Sequence, residues 1–114
     1  MRILVIEDNR DILANVLDYL ELKGYVVDCA QDGLSGLHLA ATQDYDLIVL
    51  DIMLPGISGY ETCIRLKGIR ETAEIPIIFI SALTNVDDKV RGFQSGGVDY
   101  ITKPFQQEEV LARI

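Results

Sequence analysis

A doubly wound α/β fold, a five-stranded parallel sheet with helices on both faces, is predicted by three observations. Apolar, β-branched runs alternate with helix-patterned segments five times along the 114 residues. The runs are continuous rather than alternating in polarity, which marks strands buried on both faces. No repeat or linker interrupts the series, and a chain of this length makes one domain with one core. Such alternation gives parallel strands joined by right-handed crossovers.

Each element has its own signal. Ile3-Leu4-Val5-Ile6 is a strand without a polar face. The helix after it carries Ile12, Leu13, Val16, Leu17 and Leu20 on one stripe and closes at Lys23-Gly24. Tyr25–Cys29 is a more polar strand, expected at an edge. Asp32 caps a second helix that should turn Leu34, Leu37 and Ala41 inward. Leu47-Ile48-Val49-Leu50 reads as the central strand. Pro55-Gly56 breaks the chain, and Ser58 followed three residues later by Glu61 is a capping box opening the third helix. Ile77–Ile80 is the fourth strand. Asn85 starts a helix expected to face Val86, Val90 and Phe93 inward and to end at Gly96-Gly97. Val98–Ile101 is the fifth strand, and a helix from Phe105 places Val110, Leu111 and Ile114 on its apolar side. That helix has about two turns before Ile114, which suggests a single domain, residues 1–114, cut from a longer protein whose further domain is absent.

Composition narrows function. The net charge is −8, with 18 acidic against 10 basic residues. Such a field repels phosphate backbones and anionic lipid, so direct nucleic-acid or membrane binding is not expected. No apolar run approaches the roughly 20 residues of a membrane helix. The chain enters its first strand at once, without an export leader, and its two cysteines (Cys29, Cys63) have no disulfide or metal-type spacing. A reducing cytoplasm is the expected location.

The chemistry lies in what ends each apolar run. The first strand runs into Glu7-Asp8, the third into Asp51, the fourth into Ser81, the fifth into Thr102-Lys103. In a parallel sheet every carboxyl end lies on one rim, where ligands bind. Any α/β domain has polar residues where strands stop. Three acids, a hydroxyl and a lysine closing four different strands are far harder to ascribe to chance. Two like charges about 4 Å apart cost ~4 kcal/mol at an effective dielectric near 20, so a cation must offset them. Lys103 supplies one charge. The remainder suits a hard divalent ion with oxygen ligands, Mg²⁺ before Ca²⁺ or Zn²⁺, because no Ca²⁺ loop is present and His38 stands alone. A carboxylate beside Mg²⁺ and a lysine can attack phosphorus. Asp51, closing the most apolar strand, is the expected nucleophile. Asp8, with Glu7 assisting through water, would hold the metal, and Lys103 and Ser81 would contact the phosphoryl oxygens.

With these residues placed, the chain resembles the receiver domain of two-component response regulators. The matching segments are Leu4–Asn9, Leu50–Gly56, Ile80-Ser81-Ala82 and Asp99–Phe105. The resemblance implies a flavodoxin-like fold with strand order 2-1-3-4-5. It implies transfer of a phosphoryl group from a sensor histidine kinase or phosphotransfer protein to Asp51. Mg²⁺ would be held by Asp8, Asp51 and the Met53 backbone carbonyl, with Glu7 behind them. Ser81 and Tyr100 take the switch positions, so that phosphorylation draws Ser81 toward Asp51 and Tyr100 moves inward, remodelling the fourth helix, fifth strand and fifth helix. The Lys103–Pro104 peptide is usually cis in such domains, which would aim the lysine into the pocket. The first half looks most like regulators with winged-helix DNA-binding outputs, the second like receivers of hybrid kinases. Val98 and Gln94 replace acids common on the shared dimer face, which counts against a homodimer there.

The other readings are weaker. A flavin site or an NTPase would need a phosphate loop where Glu7-Asp8-Asn9-Arg10-Asp11 stands, and an aspartyl-phosphate phosphohydrolase would need a second acid two residues after its nucleophile. The alternative kept open is an engineered or recombined interaction scaffold that retains the fold without phosphorylation. A separate-substrate turnover enzyme is not expected. His38 reads as a surface residue, Cys29 and Cys63 as small packing groups, and Asp11, Asp87 and Asp88 as acids favoured by helix dipoles.

Overall fold

The structure is a computed structural model that describes residues 1–82, 86–103 and 107–113. Five strands and five helices alternate: β1 Arg2–Ile6, α1 Arg10–Leu22, β2 Val26–Ala30, α2 Gly33–Thr42, β3 Leu47–Asp51, α3 Gly59–Gly68, β4 Ile77–Ser81, α4 Val86–Ser95, β5 Asp99–Thr102 and α5 Gln107–Arg113. All strand pairs are parallel, in the order β2-β1-β3-β4-β5. The polar second strand lies at an edge and the apolar third at the centre, as their compositions predict. The fold is flavodoxin-like.

Strand side chains alternate between two packed layers. Leu4, Ile6, Ile48, Leu50, Ile77 and Phe79 face Tyr60, Cys63 and Leu66 of α3 and Ala40 of α2. Ile3, Val5, Val49, Ile78, Ile80 and Ile101 face Leu13, Val16 and Leu20 of α1 and Val110 of α5. Two caps form as expected: Asp32 accepts from Ser35, and Gly24 closes α1 with φ of +92°. The N-cap of α1 is Asn9, whose Oδ1 accepts from the Asp11 and Ile12 amides. At α3, half the expected box forms: Ser58 Oγ accepts from the Glu61 amide, but the Glu61 carboxylate turns outward to Arg65 Nε at 3.0 Å.

Two helices present other faces than hydrophobicity suggests. In α2, Leu34 is 58% exposed and Ala41 lies at the surface, Leu37 is half-buried, and the buried stripe is Gly33, Gly36 and Ala40. Close approach is the reason. A Cβ at Gly36 would stand 2.4 Å from Ile6 Cδ1, so glycine lets α2 lie directly on β1. In α4, Val90 and Phe93 are about half exposed, at 46% and 49%, and Gly92 seats the helix against Phe79 and Tyr100. Val98 precedes β5 and is exposed. The expected helix starts at Asn85 and Phe105, the Lys103–Pro104 bond and Ile114 fall outside the described residues.

These assignments can be checked by urea denaturation. Leu34→Glu and Phe93→Glu should each change unfolding free energy by no more than about 0.5 kcal/mol, whereas Leu20→Ala and Ile78→Ala should each lose about 2–5 kcal/mol.

Candidate functional site

The parallel register brings the strand ends to one rim. Ile6 pairs with Leu50, Asp51 with Ile80, and Ser81 with Thr102, so the residues that close β1, β3, β4 and β5 stand side by side. Backbone bonds extend the order past the strands: the Glu7 amide donates to Ala30 O at 3.0 Å, and the Lys103 amide to Ser81 O at 2.7 Å.

Glu7, Asp8 and Asp51 each offer a carboxylate oxygen within 4.8 Å of the other two. Glu7 and Ser81 are wholly buried, Asp51 is 2% exposed, and Asp8 opens to solvent. Lys103 Nζ donates to both Glu7 oxygens at 3.0 and 3.1 Å and lies 3.4 Å from Asp51 Oδ2. Asn9 adds an amide bond to Glu7 Oε1 at 3.2 Å. The ammonium is therefore bound mainly by Glu7, a pairing the sequence did not suggest. Burial, followed by the charge of Asp51, pushes the Glu7 carboxyl up from its ordinary 4.5 to about 7, with Lys103 opposing both effects. A concentration of acids with one ammonium for relief, walled on one side and open at Asp8, fits a hard divalent cation bound through oxygen.

The remaining predicted residues surround this cluster. Tyr100 is 9% exposed, its ring 6.3 Å from Phe79 and its phenol hydrogen-bonded to Ser81. Met53 stands in a tight turn, bracketed by the bond from the Leu54 amide to Ile52 O at 3.2 Å, and its side chain is exposed. His38 is exposed; Cys63 is buried and donates to Ser95 O, its thiol pushed by burial up to about 11. Neither belongs to the site. Sequence reasoning missed Tyr60 and Arg91, whose guanidinium lies 4.3 Å over the Tyr60 ring beside a shallow groove along Ile52, Met53 and Leu54. Nothing in their spacing signals that contact.

Comparison with known proteins agrees with this geometry. The family described as the response regulator receiver domain matches residues 3–114. The chain is 47% identical over 113 residues to the DNA-binding dual master transcriptional regulator RpaA of Synechocystis, covering 99% of this chain and 47% of that protein. It is 46% identical over 114 residues to the transcriptional regulatory protein HprR of Escherichia coli, covering 100% and 50%. It thus spans about half the length of these curated relatives. Among solved structures, chemotaxis protein CheY4 of Vibrio cholerae superposes with a TM-score of 0.93 at 27% identity, covering 98% of this chain and 93% of that one. The receiver domain of Francisella response regulator 1452 gives 0.91 at 34% identity, covering 98% and 91%. Among the described residues, no helix is long and apolar enough to cross a membrane.

The Glu7 environment sets a pH dependence. A carboxyl whose folded pKa is raised binds more protons folded than unfolded, so stability falls as pH rises from about 4.5 to about 7. This one group should account for up to ~3 kcal/mol of unfolding free energy in metal-free buffer, at 1.36 kcal/mol per pKa unit. Melting profiles in chelator should show the fall in wild type and a flatter course in Glu7→Gln; parallel profiles would contradict it.

Proposed function

The chain belongs to the response regulator receiver family, and from that premise we propose that it is a phosphorylation-dependent signalling switch whose phosphoacceptor is Asp51. The observation that carries the reading is the convergence of Glu7, Asp8 and Asp51 around one ammonium at the carboxyl rim of the sheet.

The donor is the phosphohistidine of a sensor histidine kinase or phosphotransfer protein. An Asp51 carboxylate oxygen forms the new bond to phosphorus while the bond to the histidine nitrogen breaks and the imidazole leaves. Asp51 is held at the end of the central strand, almost without water, which favours a carboxylate poised for attack over one solvated at random. Asp8, Asp51 and the Met53 carbonyl, with Glu7 assisting, would hold Mg²⁺, which would neutralise phosphoryl charge. Lys103 already stands 3.4 Å from Asp51 Oδ2, and transfers part of its bonding from Glu7 to the incoming phosphoryl oxygens. The Ser81 hydroxyl turns to the phosphoryl group and gives up its bond with the Tyr100 phenol. Tyr100 then relays the change to α4, whose Gly92 rests on its ring. Phosphorylation moves the population only by the free energy with which it favours one state, and a shift from 1:99 to 99:1 takes about 5.5 kcal/mol. An output domain, such as the longer relatives have room for, would read the altered α4–β5–α5 face.

Incubation with Mg²⁺ and acetyl phosphate, followed by intact mass measurement, should give one phosphoryl adduct on wild type and none on Asp51→Asn. An unmodified wild type, or an adduct surviving in Asp51→Asn, overturns the assignment and favours the non-phosphorylated scaffold. Because the acids repel one another, Mg²⁺ should raise the melting temperature by mass action. Asp8→Ala should stabilise the metal-free protein and abolish the Mg²⁺ effect, as read by thermal melts with and without the ion.

A further inference from the structure

Immediately after β3 the chain folds back under its own end. Ile52 O accepts two amides, from Leu54 at 3.2 Å and from Gly59 at 2.7 Å, so the turn that contains Met53 is pinned by the first residue of α3. Ser58 caps that helix and its Oγ holds the Glu61 amide, fixing the first turn of α3 in place.

Gly59 makes this contact possible. A Cβ there would lie 2.2 Å from Asp51 O, 2.6 Å from Ile52 Cα and 2.9 Å from the Asp51 carbonyl carbon. Among the described residues, positive φ occurs only at Gly24, Gly56 and Gly96, so glycine at 59 answers a need for room and not for an unusual backbone. Other glycines are as tightly placed, but against different neighbours. Gly97 would meet the Phe79 ring at 2.6 Å, and Gly33 would meet the side chains of Thr62 and Ile57 at 2.4 and 2.7 Å. Among the described residues, Gly59 alone presses closer than 3 Å on backbone, and that backbone carries the reactive carboxylate.

We propose that Gly59 is a positioning residue for the cation and phosphoryl site: by letting α3 rest on the Asp51–Ile52 peptide it sets the Asp51 carboxylate and the Met53 carbonyl at one spacing. A side chain at 59 must push that peptide, because two rigid backbones meet there and no flexible side chain can yield. The inference rests on the reading of the site given above.

The test compares Mg²⁺ affinity, by calorimetry, for wild type, Gly59→Ala and Gly97→Ala. Both variants should lower the melting temperature, since both add a clash. Gly59→Ala should weaken Mg²⁺ binding by roughly tenfold to a hundredfold, the range for groups that orient metal ligands, whereas Gly97→Ala should keep wild-type affinity within about twofold. If Gly59→Ala does not fold, an NMR titration of wild type decides: the Gly59 amide should shift with those of Asp51, Ile52 and Met53 as Mg²⁺ is added. A Gly59→Ala protein that binds Mg²⁺ like wild type, equal losses in both variants, or a Gly59 amide unmoved by Mg²⁺ would overturn the positioning role alone. Wild type that binds no Mg²⁺ would overturn the site reading and this inference with it.

Discussion

Two carboxylates held out of water beside one ammonium form the constraint around which the domain is organised. Glu7 and Asp51 come from adjacent strands, and the charge that makes their closeness tolerable comes from Lys103, 96 residues beyond Glu7. Breaking such a buried pair leaves an uncompensated charge in a poorly solvating place, which is far more damaging than losing an exposed pair. The cluster therefore depends on the sheet being complete from β1 to β5. Its residual negative charge also makes it receptive to protons and metal ions, each of which relieves the same repulsion.

The opposite rim of the sheet is quiet by comparison. Arg2 donates through Nε and Nη2 to Asp28 Oδ2 at 3.1 and 2.9 Å, and Tyr45 donates its hydroxyl to the same oxygen at 2.7 Å. The Tyr45 hydrogen bond, with Arg2 adding to it, holds the Asp28 carboxyl below its ordinary range. Here an acid is matched by donors from both sides, and β2, β1 and the approach to β3 are laced together. One end of the sheet is satisfied and structural; the other, where the candidate site lies, is left in electrostatic deficit.

Most of this could be read from the chain. The strands and helices followed from the apolar runs and the segments between them, the strand order from the family resemblance, and the candidate site from the polar residue that closes each run. What stayed hidden has a common physical cause. Hydrophobic periodicity finds the faces of helices that pack through large side chains, but α2 packs through Gly33, Gly36 and Ala40, and α4 through Gly92. Glycine carries no hydrophobic signal, so Leu34, Val90 and Phe93 drew the inward assignment instead. Gly59, inside the Ser58–Glu61 cap signal, drew no assignment of its own for the same reason. The attachment of Lys103 to Glu7 was hidden differently: which of two neighbouring acids an ammonium prefers depends on depth and reach, and neither is written in residue order.

The seating of α4 carries its own consequence. Among the described residues, α4 meets the sheet through Gly92 and through the Lys89 cation over the Tyr100 ring, and meets Tyr60 of α3 through the hydroxyl that donates to Asp88 O at 3.0 Å and the Arg91 cation over the ring. Such contacts give up little when exchanged for water, unlike the buried leucines and valines that root α1. Amide protons of α4 should accordingly be among the first helical ones to trade with solvent, through openings that leave the rest of the sheet intact. A domain built this way keeps a lightly rooted helix beside its acidic rim, so a modest local change in charge has a compliant element within reach.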